Sequence, residues 1–159
     1  MQKQEFSDNL CYLRGSLRIA VLNALTGEVV KERIVNNTVV TAGRRWVLAA
    51  IASSESATSQ TIQQMAVGTS TTAPATGDSA LGSEASRKAI GTFTTSNLTS
   101  NPPSWLAATS WATNEANTTI GEVGLFNSSS GGTMLARATF ATINKATSNT
   151  LNISYTISN

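Results

Sequence analysis

The sequence predicts a mainly β fold: an antiparallel β-sandwich, jelly-roll-like, with one short helix and an extended N-terminal arm. Three observations carry this. In residues 149–158, Leu151, Ile153, Tyr155 and Ile157 alternate with Asn152, Ser154, Thr156 and Ser158, the period of a strand with one buried face. Turn residues recur about every ten positions, the spacing of short antiparallel strands. Residues 41–53 alone repeat their apolar side chains at helical spacing.

Taken in order, residues 1–10 are polar and mixed in charge, with Phe6 and Leu10 the large apolar side chains after Met1. They read as an arm able to reach a neighbouring subunit, or as a frayed end. Residues 11–159 form the single β-rich domain. Leu13, Leu17, Ile19 and Val21 share one face of a strand, Gly27 makes a turn, and residues 28–35 return as a second strand. Asn36, Asn37 and Thr38 close this unit. Thr41 then caps a helix carrying Trp46, Val47, Ala50 and Ile51, in which Arg44 and Arg45 oppose the helix dipole unless an acid lies close.

Residues 61–67 read as a short strand, and residues 68–87 as a long Thr-rich loop in which Asp78 or Ser79 starts a helical turn carrying Leu81. Residues 88–95 read as one strand, ended by the break at Pro102 and Pro103. Trp105 and Trp111 fall on the same face of the segment 104–113, as anchors for a partner or as core. Residues 118–145 read as two strands joined by a Ser/Gly turn.

Composition narrows the function classes. Charged residues make up 13%, about half the usual share, and Ser, Thr, Asn, Ala and Gly fill the gap. Short side chains lose little entropy when ordered against a neighbour, which suits packing into an assembly. A net charge of +2 without a basic cluster does not make a nucleic-acid binder. No stretch reads as a signal peptide or a membrane span, so a soluble cytosolic product is expected. Five Asn-x-Ser/Thr triplets, at Asn36, Asn97, Asn117, Asn127 and Asn152, are what a Ser/Thr-rich chain contains by chance.

The chain has no histidine and a single cysteine, Cys11, which removes Ser-His-Asp and Cys-His catalysis and the usual zinc sets. No cofactor or metal is expected. Glu115 and Glu122 are the nearest approach to a glycosidase pair, and that reading is set aside in favour of a structural one. Glu122 sits among Ile120, Val123, Leu125 and Phe126, where an unpaired carboxylate is costly. Arg137, Arg87 or Lys88 is expected to neutralise it in an ion pair that holds the β-fold together.

Two segments carry a resemblance. MAVGTSTTAPATGDSAL (residues 65–81), followed by Glu84 and Arg87, and IGEVGLFNSSSGGTMLARATFATINK (residues 120–145) resemble segments recurrent in virion structural proteins of tailed bacteriophages. Such proteins include capsid decoration, or cement, proteins and tail or fibre-associated components. The resemblance spans roughly residues 60–157 and implies a protein without catalytic residues. It implies binding to the outer shell of the virion, bridging neighbouring major capsid protein subunits, and assembly as a homo-oligomer, a trimer by analogy. The tail, baseplate or fibre is the alternative location. Phe6, Leu10, Trp105 and Trp111 are the candidate partner-binding residues. No nucleic acid or membrane enters this reading.

Overall fold

Alternating side chains commit residues 14–23 to strand β1 (Arg14–Asn23), which buries Leu17, Ile19 and Val21 and turns Ser16 and Arg18 outward. The computed structural model describes residues 13–52 (the last three as backbone only), 61–95, 99 and 102–158. Gly27, at φ 73°, closes the turn into β2 (Val29–Asn36), and Asn23 supports it by accepting the Leu25 and Thr26 N–H groups. The chain then leaves for a second sheet through β3 (Thr38–Val39) and α1 (Thr41–Ala52). Eight further strands follow: β4 (Gln64–Gly68), β5 (Glu84–Ala89), β6 (Thr92–Thr94), β7 (Ser104–Trp111), β8 (Thr119–Phe126), β9 (Met134–Asn144) and β10 (Asn149–Ser158) complete the described elements.

Two five-stranded antiparallel sheets result, in the orders β2-β1-β10-β7-β6 and β3-β9-β8-β4-β5. The mainly β, sandwich-like architecture expected from the periodicity is present. β1 pairs with β10 along its full length, from Arg14 opposite Ser158 to Asn23 opposite Asn149. Leu17, Ile19, Ile153 and Tyr155 from the first sheet meet Met65, Val67, Val123, Leu125 and Ile143 from the second in one core. Trp111 belongs to that core and is fully buried, its indole N–H donating to Ser86 Oγ at 3.1 Å.

The second sheet is buried on both faces. Its outer side carries a smaller apolar cluster of Val40, Ala66, Leu81, Phe126 and Met134. The loop 69–83 lies over it, and from Ile120 onward β8 is buried throughout. At the far end of the sheet Gly131 and Gly132, at φ 58° and 74°, turn β8 into β9.

Three local expectations change. Residues 88–95 are not one strand. β5 belongs to the second sheet and β6 to the first, and the chain crosses at Ile90 and Gly91, whose N–H groups donate to Gln63 O and Ala108 O. Residues 78–81 form turns and bends without a helical turn, because Asp78 is used to tie the loop down instead. Thr41 does not cap α1 by its side chain. Val40 supplies the first helical carbonyl, to the Arg44 N–H, while the Thr41 N–H donates to Thr76 O at 2.7 Å. Arg44 and Arg45 are exposed, and among the described residues neither makes a salt bridge. Phe6, Leu10, Cys11 and the rest of the arm lie outside the described residues.

Candidate functional site

The polar groups that converge most strongly sit on the outer face of the second sheet. Strand alternation places Glu122, Gly124 and Phe126 of β8 outward, opposite the core-facing Val123 and Leu125. Glu122 is completely buried. Its carboxylate accepts the N–H groups of Ser83 at 2.7 Å, Gly82 at 2.9 Å and Ser70 at 3.3 Å, all from the two ends of the loop 69–83. Arg137 of β9 donates to the same carboxylate through Nε at 2.9 Å and Nη2 at 2.8 Å. Its Nη1 reaches Asp78 at 2.7 Å and its Nη2 the Thr72 carbonyl at 3.2 Å. One acid, one base and a second acid therefore clasp the loop to the sheet.

The space for this clasp is made by glycine. A side chain at Gly68 would run into the Glu122 carboxylate and the Ser83 carbonyl. Burial works against the Arg137 charge, but its bonds to Asp78 and Glu122 outweigh that and raise its pKa above the ordinary value. The N–H of Ala75, then Arg137, hold the Asp78 carboxyl below the usual carboxylate range.

The sequence names Arg137, Arg87 and Lys88 as candidate partners for Glu122, and the structure selects Arg137. Arg87 does not pair with Glu122. It stands opposite Ala66, whereas Glu122 stands opposite Gly68, further along β4. From there Arg87 binds Glu84 at 2.6 Å, donates to the carbonyls of Ser128 and Gly131, and lies 3.7 Å over the Phe126 ring. Lys88 pairs instead with Glu115 at 2.7 Å. That bond, and the Ala112 N–H, lower the Glu115 pKa. The two carboxylates once comparable with a glycosidase pair thus serve different ion pairs. Among the described residues no group of three or more His, Cys, Asp or Glu is arranged to hold a metal.

Lys145, also buried, was not signalled by the sequence. Its ammonium donates to Asn117 Oδ1 at 2.7 Å, and burial lowers its pKa, partly offset by Glu115. Asp78 was missed as well, since an acid in a loop rich in small residues gives no sign of the arginine it meets.

A second feature lies at one end of the sandwich. An apolar groove of about 480 Å³ is lined by Leu13, Trp46, Val47, Phe93, Trp105 and Ile157, among others. Trp105 is half-buried and stacks on Phe93, centroids 5.0 Å apart and planes inclined by 23°. Trp105 and Trp111 share a face of β7, as the spacing requires, but only Trp105 borders open space. Trp111 is therefore core and not an anchor for a partner.

No protein-family model matches the chain, and neither does any curated protein or solved structure. No helix among the described residues is long and apolar enough to cross a membrane.

Proposed function

We propose that this chain is a non-enzymatic structural protein of a tailed-phage virion, a decoration or cement protein that sits on the outer capsid and bridges major capsid protein subunits. The observation that carries the reading is where the two resembling segments meet. Residues 65–81 and residues 120–145 form one unit, with β4 paired to β8 and the loop locked down by Glu122, Arg137 and Asp78. The segments that resemble virion proteins are thus the segments that hold each other.

That unit suits adhesion. The clasp fixes the backbone of a loop whose outward residues, Thr71, Thr72, Ala73, Ala75 and Thr76, are short and exposed. A surface ordered in advance loses little entropy on docking, and modest contacts add up over many copies on a shell. The charged groups most suggestive of catalysis are each engaged in holding the fold.

Electron microscopy of particles made with and without the protein tests the assignment. Density lost evenly over the shell is the expected result. Loss confined to the tail moves the protein to the tail, baseplate or fibre and removes the cement reading, and unchanged particles remove the virion reading.

A further inference from the structure

We propose that the apolar groove receives the N-terminal arm, residues 1–12, of a second copy of this chain. The inference stands on the groove and the arm alone, and does not depend on what the assembly coats.

The groove is shaped for an apolar segment. Phe93 is 47% exposed although it is stacked on Trp105, and both rings face open space beside Val47 and Ile157. The indole N–H of Trp46, in the same wall, has no hydrogen-bond acceptor, a buried donor for which an extended segment brings carbonyls. The volume falls within the range of sites that enclose a few large side chains.

The arm supplies matching chemistry. Phe6 and Leu10 are spaced by polar residues that include Glu5 and Asp8. Arg44 and Arg45, exposed on the first turn of α1 next to Trp46, oppose their own helix dipole and make no salt bridge among the described residues. Acids between two apolar anchors complement arginines beside an apolar groove.

Geometry assigns the arm to a neighbour. Leu13 lines the groove and packs on the core, so it is on the inner face of its strand. Residues an even number apart share a face, so an extended continuation turns Tyr12, Leu10 and Phe6 to the opposite side. The ladder to β10 ends at Arg14 opposite Ser158, so that continuation also runs past its own sheet. Leu10 and Phe6 therefore face away from the groove beside their own Leu13. Twelve residues span up to about 40 Å, enough to cross to an adjacent copy. The contact is head-to-tail, groove of one copy to arm of the next, the type that closes into a ring or runs on as a chain.

Two variants of the full chain test this by sedimentation velocity. Leu10→Asp spoils the arm and keeps the groove, and Phe93→Asp spoils the groove and keeps the arm. The unaltered protein is expected to self-associate with rising concentration and each variant to stay monomeric. An equimolar mixture of the two variants is expected to form a one-to-one dimer, because one good arm meets one good groove. A mixture that stays monomeric, or variants that associate as well as the unaltered protein, overturns the proposal. A second measurement guards against misfolding of Phe93→Asp. A labelled peptide of residues 1–12 is expected to bind the Leu10→Asp protein saturably and to lose at least ten-fold in affinity when its own Phe6 and Leu10 become Asp. Equal binding by both peptides, or none by either, also overturns it.

Discussion

A carboxylate shut away from water must find its hydrogen bonds inside the chain, and Glu122 finds them on three backbone N–H groups and one guanidinium. Removing a partner from such a buried group leaves a charge uncompensated. Arg137→Met is expected to lower the unfolding free energy by about 3–5 kcal/mol, measured from the denaturant midpoint at constant slope. Arg87→Met is expected to cost only about 1–2 kcal/mol, because Glu84 and the turn carbonyls it leaves can turn to water. Equal losses would mean that both arginines do the same work. Asp78 adds a pH dependence. Its carboxyl is held below its ordinary value, so its contribution is complete above about pH 4, the unfolded value, and is lost as pH falls through the lower folded value. Unfolding titrations from pH 7 to pH 2 should show Asp78→Asn starting less stable and sloping less below pH 4. Parallel curves would exclude Asp78 from the acid response.

Among the elements, the loop 69–83 owes its order to the sheet beneath it and not to its own sequence. Glu122→Ala is expected to speed amide exchange at Ser70, Gly82 and Ser83 by at least about ten-fold while Val123 and Leu125 in β8 keep their protection. Unchanged exchange at the loop would show that it is held by other contacts. This dependence explains what the sequence could and could not reveal. β10 was legible because alternation from Leu151 to Ile157 is a local property, and α1 because Trp46 and Val47 recur at helical spacing. Residues 88–95 were misread because a short strand's choice of sheet is decided by distant partners, Met65 opposite Lys88 and Ala107 opposite Phe93. Arg137 was legible as a partner for Glu122, on the paired strand. Asp78 lies 59 residues from Arg137, and nothing near it in sequence marks the meeting. The stacking of Phe93 on Trp105 was hidden for the same reason.

At the scale of the whole molecule, the two sheets differ in kind. The second is covered on both faces and carries the clasped loop, while the first turns Ser154, Thr156, Ser110 and Arg18 outward. The groove opens where the two meet, next to the point at which the chain enters β1. That entry point has a mechanical consequence. A tug delivered through the residues ahead of Leu13 runs along the axis of β1, where the ladders to β10 and β2 resist together, every rung sharing the strain. A tug applied between Arg14 and Ser158, which lie side by side, instead peels the same ladder one rung at a time. A copy gripped by its arm is therefore held in the direction in which its sheet is hardest to tear.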